Sequence, residues 1–372
     1  MKVAVALSGG VDSSVTALLM KESGNEVIGM HADLSSALVS RHYGDSSSSR
    51  TASSVEAAAE TIGIPLHVVD LQDEFSSLIV DPFCEEYLRG RTPNPCVRCD
   101  ALIKFDRLLS LAKSIGCEKL ASGHYAVNRV SDEGRRYVAR GAEITKDQSY
   151  FLYMLSQESL VDIIFPLGRM TKEEVTHLAH SRGLPSAGRA ESQEICFIPD
   201  HRHGEFIALH TGTTPAPGDI VNMSGQVIGR HRGIHRYTIG QRRGLGISSP
   251  LPLYVVAIDA SANRIIAGFS DDLEIAALRA GSLHYMKETD LDGLLVLAKT
   301  RSTQVPVEAR LHRDGDGIIA VFAEPQTGIA PGQAAVFYNE AMEVLGGGTI
   351  ERAFTGRDEI VHSEDISPEG SG

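Results

Sequence analysis

The chain of 372 residues is long enough for two or three domains of about 150 residues each, with more than one hydrophobic core. Its 42% hydrophobic and 22% charged residues are ordinary globular values, which exclude collagen-like, coiled-coil and wholly disordered architectures. The net charge of −13, from 35 Lys and Arg against 48 Asp and Glu, excludes a generic nucleic-acid coat, although a local cluster of cations can still hold phosphate. No apolar run approaches the roughly 18 residues of a membrane span, and MKVAVALSGG meets a glycine pair too soon for a signal peptide. A cytoplasmic protein with no membrane partner is expected. Five cysteines (Cys84, Cys96, Cys99, Cys117 and Cys196) are too few and too odd in number for a disulfide scaffold.

The first apolar run predicts a strand at Val3–Leu7, a Ser-Gly-Gly turn and a helix from Asp12 to Lys21. A second strand is predicted at Glu26–His31, a Ser-rich loop at Asp45–Ser54, a helix at Val55–Ile62 and a third strand at Pro65–Leu71. Helical patterning from Leu102 to Ile115 leads to a strand at Lys119–Ala121 and then Gly123-His124-Tyr125. Strands alternating with helices predict an α/β unit with a mainly parallel sheet. After about residue 200 the texture changes to short β-like runs at Gly218–Asn222, Tyr254–Asp259, Arg264–Gly268 and Gly317–Ala323, as in small β domains or a barrel. The Ser-, Pro- and Gly-containing acidic tail, 356–372, reads as disordered.

Ser8-Gly9-Gly10-Val11-Asp12-Ser13-Ser14 lies where a strand hands over to a helix, a place that offers backbone N–H groups and a positive dipole end to an anion. The glycines permit close approach of phosphate, Ser8, Ser13 and Ser14 offer hydroxyls, and Asp12 can cap the helix or help hold Mg²⁺. No Gly-Lys-Ser/Thr follows, so this is not a Walker loop. Thr92-Pro93-Asn94-Pro95-Cys96-Val97-Arg98-Cys99 sets a thiol after two prolines, with Arg89, Arg91 and Lys104 nearby to lower its pKa. Cys96-x-x-Cys99 is also half of a zinc site, but no second C-x-x-C exists to complete it. Cys196, between Ile195 and Phe197, reads either as core or as a reactive thiol. Cys84 and Cys117 read as structural. Arg230, Arg232, Arg236, Arg242 and Arg243, interleaved with His231, His235 and Tyr237 and free of acids, form either an RNA-binding face or a solvated basic hairpin.

SGGVDSS resembles the pyrophosphatase-type loop of enzymes that use ATP to adenylate a substrate carbonyl. GRTPNPCVRCDALIKF, ASGHYA, KDQSYFLY, SQEICFI and YTIGQRRGLGI follow it in the order found in the tRNA-specific 2-thiouridylase family, which the chain resembles over about residues 1–355. That resemblance implies an adenine nucleotide alpha-hydrolase type catalytic domain at 1–200, a small tRNA-binding domain at 201–275 and a C-terminal β-barrel at 276–355. It implies ATP with Mg²⁺, a tRNA carrying a wobble uridine, and a sulfur donor such as a cysteine desulfurase or sulfur relay protein.

By the same resemblance Cys196 carries a persulfide and Cys96 is the nucleophile that attacks it, leaving a Cys96–Cys196 disulfide. ATP would be bound by Ala6, Leu7, Ser8, Gly9, Gly10, Val11, Asp12 and Ser13, with Ala32 and Gly123. His124, Lys146, Asp147, Gln148, Arg301 and Gln333 would face tRNA, Gln333 acting with His124; Asp147 also reads as a plain helix cap before Tyr150–Tyr153. Departures from the family are Ser46–Ser54 in place of a stretch with Cys and Asp, Asp100 where Asn is common, a short segment before Phe83, and a less basic neighbourhood at Arg301. Another ligase with the same loop would leave Cys96 and Cys196 unexplained, and a non-catalytic RNA-binding adaptor would leave the loop without a use.

Overall fold

The computed structural model describes residues 1–35, 38, 39, 42, 48–188, 195–198, 202–213, 215–287 and 289–356. Its first layer is a five-stranded parallel sheet built from β1 (Lys2–Ala6), β2 (Glu26–Asp33), β3 (Leu66–Asp70), β4 (Lys119–Ala121) and β7 (Ile163–Ile164), in the order β3-β2-β1-β4-β7. Side chains alternate across β1. Val3 and Val5 pack with Val11 and Val15 of α1 (Val11–Glu22), with Val55 and Ala59 of α2 (Ser48–Ile62) and with Val175 of α6 (Lys172–Ser181). Ala4 faces the other side, among Phe105, Leu108 and Ala112 of the helical segment 95–114 (α4). Each buried Val or Leu contributes about 1.5–3 kcal/mol, which is why a strand covered on both faces reads as an unbroken apolar run. The order of strands reverses between β1 and β4, so the loops at the C-terminal ends of these two strands flank a crevice.

Two helical segments, 72–88 (α3) and α4, contain π-wound stretches at Ser76–Val80 and Asp100–Leu108. Their apolar sides (Phe75, Phe83, Cys84, Cys99 and Ile103) enclose Phe197, Ile198 and Phe206, the last on α7 (His203–Thr211). A hairpin, β5 (Ala126–Val130) with β6 (Arg136–Arg140), and the short α5 (Gln157–Asp162) complete the N-terminal part.

The β-rich half forms two bodies. A four-stranded sheet, in the order β10-β11-β8-β9, comprises β8 (Gly218–Val221), β9 (Val227–His231), β10 (Tyr254–Asp259) and β11 (Arg264–Gly268). A closed six-stranded barrel follows in the order β12-β15-β14-β13-β16-β17, from β12 (Ile275–Tyr285), β13 (Leu295–Lys299), β14 (Val307–Asp314), β15 (Gly317–Gln326), β16 (Ala334–Tyr338) and β17 (Val344–Phe354). Val336, Tyr338, Met342 and Val344 share one apolar cluster with Tyr137, Val138 and Tyr150, so the barrel is packed onto the N-terminal part.

Two sequence expectations are corrected. α2 starts at Ser48, inside the stretch predicted as a loop: serine costs a helix only a few tenths of a kcal/mol, and Val55, Ala58, Ala59 and Ile62 give the segment a face to bury. α4 starts at Pro95 rather than Leu102, because proline is tolerated in a first helical turn. Residues 45–47, 191–194 and 357–372 lie outside the described residues.

Candidate active site

No side chain caps the first turn of α1, whose N-cap is Gly10. The loop is tied internally: Ser13 Oγ accepts from Ser8 N at 3.2 Å, lies 3.1 Å from Ser8 Oγ and donates to Gly10 O at 3.1 Å. Ser8 is exposed at the mouth. Ser14 is fully buried and its hydroxyl is committed to Gly10 O at 2.9 Å, so it is not an available donor. Gly9 has φ +76° and packs against Ser54 and Val55 of α2, a wall the sequence did not disclose. Leu7 is clamped at both backbone groups, its N–H to Met30 O at 2.8 Å and its carbonyl to His31 Nδ1 at 2.9 Å. Ala6 and Ala32 are half-buried at the ends of β1 and β2, and Val11 is in the core.

Asp12 neither caps the helix nor stands free. Its Oδ1 accepts from Lys172 Nζ at 2.7 Å and from Tyr125 Oη at 2.9 Å. Lys172 is presented by α6, whose start is fixed by a capping box between Thr171 and Glu174. Lys172, 160 residues from Asp12, carried no local signal in the sequence.

The turn after β4 connects this loop to the thiols. A Cβ on Gly123 would sit 2.9 Å from Asp12 C and 3.1 Å from Ser13 N, so Gly123 lies directly against the phosphate loop. The next residue, His124, turns away into a nest of Phe105 and Phe165, with Nδ1 2.7 Å from Ser122 Oγ and Nε2 3.4 Å from Asp100 Oδ1. Asp100 is 3% exposed and also meets Lys104 Nζ at 2.6 Å. Burial alone would raise its pKa, yet Lys104 and His124 hold it down at about 2.

Cys96 and Cys99 occupy the first turn of α4, one turn apart; Cys96 is exposed and Cys99 buried. Cys196 is exposed while its neighbour Phe197 is in the core, packed in one cluster with Cys99 and Ile103. Although Cys96 and Cys196 are both exposed, the protein packed around their sulfurs desolvates them. Burial therefore pushes Cys96 up to about 12, with Asp100 adding to the rise and Lys104 opposing it. Cys99 and Cys196 are raised too, by burial first, and Lys104 opposes both.

The expected depression of the Cys96 pKa is thus reversed, because burial and Asp100 outweigh Lys104, and the nearby cations also have carboxylate partners of their own. Arg89 pairs with Glu85 and Glu86, Arg91 with Glu86 at 2.7 Å, and Lys104 with Asp100. Cys84, at about 12, and Cys117 are buried. Among the described residues no group of three or more His, Cys, Asp or Glu is placed to hold a metal ion.

The residues expected to face tRNA divide. Arg301 is exposed. Lys146 and Gln148 are half-buried, and Gln148 Oε1 accepts from Tyr125 N at 3.0 Å. Asp147 is 8% exposed, caps the turn at Ser149 N (3.1 Å) and faces buried Lys299 at 3.6 Å, so its carboxylate serves the fold. His124, 7% exposed, and Gln333, bonded to Thr92 O and Pro93 O, both face the Cys96 segment. In the basic stretch Arg230, Arg232, Arg242 and Arg243 are exposed, whereas His231, His235 and Tyr237 are buried, so the interleaved rings build the small sheet's core and are not stacking platforms.

Three family models match in sequence: a tRNA methyl transferase HUP domain over residues 1–200, a tRNA methyl transferase PRC-barrel domain over 204–268, and an aminomethyltransferase β-barrel domain over 275–350. The class is therefore a HUP-domain protein with a PRC barrel and a second β-barrel appended. A tRNA-specific 2-thiouridylase MnmA from Geobacter metallireducens is 44% identical over 95% of this chain and 98% of its own length. The Syntrophotalea carbinolica enzyme of the same name is 44% identical over 94% and 98%, and that of Parvibaculum lavamentivorans 43% over 94% and 91%. The chain belongs to the tRNA-specific 2-thiouridylase family. Among solved structures, a 4-thiouridine synthetase–RNA complex with bound ATP matches 54% of this chain and 45% of its own, with 16% identity and a TM-score of 0.34.

Proposed function

We propose that this protein places sulfur on C2 of the wobble uridine, position 34, of tRNA, using ATP to activate the C2 oxygen. The observation that carries the reading is one connected site. Gly123 abuts the phosphate loop, His124 beside it reaches Asp100, and Asp100 follows the Cys96–Cys99 turn, whose Cys99 packs in one cluster with Ile195 and Phe197, the neighbours of Cys196. Ser8–Ser13, Ala32 and Gly123 bind ATP. The uracil O2 attacks the α-phosphorus, pyrophosphate leaves, and O2 becomes an adenylate that can depart as AMP. Mg²⁺ would neutralise charge on the phosphates when bound, and Asp12, which Lys172 shares, is the carboxylate that would hold it.

Sulfur arrives on Cys196 as a persulfide, loaded by a cysteine desulfurase or a relay protein in the cytoplasm. The Cys96 thiolate attacks the Cys196 sulfur, the S–S bond to the terminal sulfur breaks, and the released hydrosulfide adds to C2 as AMP leaves. A Cys96–Cys196 disulfide remains, and an external thiol supplies the two electrons that reopen it. A second reading makes Cys99 the attacking thiol, because Cys99 packs in the same apolar cluster as Ile195 and Phe197, the neighbours of Cys196.

The test is thiolation of unmodified tRNA with ATP, Mg²⁺, a cysteine desulfurase with free cysteine as the persulfide-level sulfur donor and a thiol reductant, comparing wild type with Cys196→Ser, Cys96→Ser and Cys99→Ser. Product from wild type, none from Cys196→Ser, and loss in Cys96→Ser support the proposal. Loss in Cys99→Ser with Cys96→Ser active selects the second reading. ATP cleavage that ignores tRNA refutes the substrate, and no ATP cleavage refutes catalysis.

A further inference from the structure

The segment that presents Cys96 is held from two sides by parts of the chain remote in sequence. On its leading side the barrel grips the backbone. Thr92 N donates to Pro331 O at 2.8 Å, and Gln333 Nε2 donates to Thr92 O at 2.9 Å and to Pro93 O at 3.3 Å. Arg91 Nη2 reaches Ile350 O at 3.3 Å, and Gly332 N is bonded to the same carbonyl at 2.8 Å. Gly332, at φ +96°, sits so close that a Cβ there would fall 2.9 Å from Thr92 O and 3.1 Å from Thr92 N. On its trailing side His124 faces Asp100 in the turn following Cys99. Pro93 and Pro95 have no N–H to give, so besides the Thr92 N–H the carbonyls of Thr92 and Pro93 are handles on this stretch, and Gln333 donates to both.

We propose that Gln333 is a positioning residue for Cys96, the barrel end of a clamp whose other end is His124 with Asp100. The resemblance placed both residues against tRNA; their bonds in the folded chain instead go to the thiol segment. The barrel is then part of the reacting site although it supplies no reacting atom. This rests on the reading that Cys96 reacts during sulfur transfer.

The experiment uses the full chain with Gln333→Ala and Gln333→Glu, the latter keeping the length but replacing the Nε2 donor. The clamp predicts a kcat for tRNA thiolation lower by about 10- to 100-fold in both, with tRNA Kd unchanged within about twofold and the rate of Cys96 alkylation without RNA changed by about threefold or more. A rise in Kd that accounts for the lost activity, with kcat and alkylation unchanged, makes Gln333 an RNA contact and overturns the proposal. No change in any of the three also overturns it. If Gln333→Ala does not fold, Gln333→Glu decides. If the wild type makes no thiouridine, the functional reading fails, while the alkylation rates still decide the clamp.

Discussion

Gly9→Ala tests the phosphate loop at its tightest point. The residue has φ +76°, which costs an L side chain about 1–2 kcal/mol. The new Cβ would also run into Ser54 Oγ and lie 3.3 Å from Ser54 Cβ and 3.2 Å from Val55 Cγ2, and overpacking of this kind costs about 1–3 kcal/mol. The sum is a loss of about 2–5 kcal/mol, at roughly 2–4 °C of Tm per kcal/mol for a unit of this size. Gly10 provides the contrast. Its backbone is extended at φ −85°, ψ 168°, and its Cβ would meet nothing closer than Ser8 Oγ at 3.5 Å. Gly10→Ala is therefore expected to hold Tm or raise it, by about 0.4–1 kcal/mol of lost chain freedom in the unfolded state. Removing the obstructing hydroxyl with Ser54→Ala should return the cost of Gly9→Ala toward the dihedral strain alone, about 1–2 kcal/mol, giving a coupling between the two sites. The assay is thermal unfolding of the four proteins of this cycle and of Gly10→Ala. Equal shifts for Gly9→Ala and Gly10→Ala, or a Gly9→Ala cost that ignores residue 54, would refute the reasoning.

Asp100, held at about 2 against an ordinary 3.8, stabilises the folded chain above about pH 4 and loses that contribution as pH falls through 2. Asp100→Asn should remove this part of the acid transition, worth about 2 kcal/mol, and an unchanged acid limb in urea unfolding would contradict it. Cys96, at about 12 despite its exposure, should carry about a thousandfold less thiolate at pH 8 than a thiol at 9.0, so iodoacetamide should modify it slowly until the pH is well above 10. Asp100→Asn should speed that reaction, since Asp100 is one cause of the rise; reactivity like that of free cysteine at pH 8 would be the contrary finding. Arg242 and Arg243 are exposed with no carboxylate beside them in sequence, so changing both to Glu should weaken tRNA binding and lessen its dependence on salt. Binding that keeps its affinity and salt slope would remove this surface from the RNA interface.

The parallel strands were legible because burial on both faces leaves an uninterrupted apolar signature, as in Val3–Leu7, which forms β1 to within one residue at each end. β10 and β11 match their predicted bounds, being short apolar runs bracketed by Gly, Pro and Asn. The start of α2 was hidden, because its serines read as a loop while the face that holds the helix lies further along. The π-wound turn of α4 has no compositional marker at all. At the site, contiguous motifs were visible and their cross-connections were not: Lys172 to Asp12, His124 to Asp100 and Gln333 to Thr92 span 160, 24 and 241 residues, and no local pattern records such a meeting. Cations near Cys96 in sequence suggested an acidic thiol; only packing reveals that burial outweighs them and that Arg89, Arg91 and Lys104 each have a carboxylate partner.

The polarity of the N-terminal sheet has a practical side. The segments that bear chemistry leave from one end of it, after β1, β2 and β4, whereas the turns at Ser23–Asn25 and Gly63–Pro65 enter from the other. Gly24, at φ +78°, has nothing within 4 Å of where a side chain would begin. A five-residue strand spans about 16 Å, so a dye, tether or short peptide inserted at Ser23–Asn25 stands that far from the phosphate loop. The fold thus carries its own handle, by which the enzyme can be anchored to a surface with the working end left open.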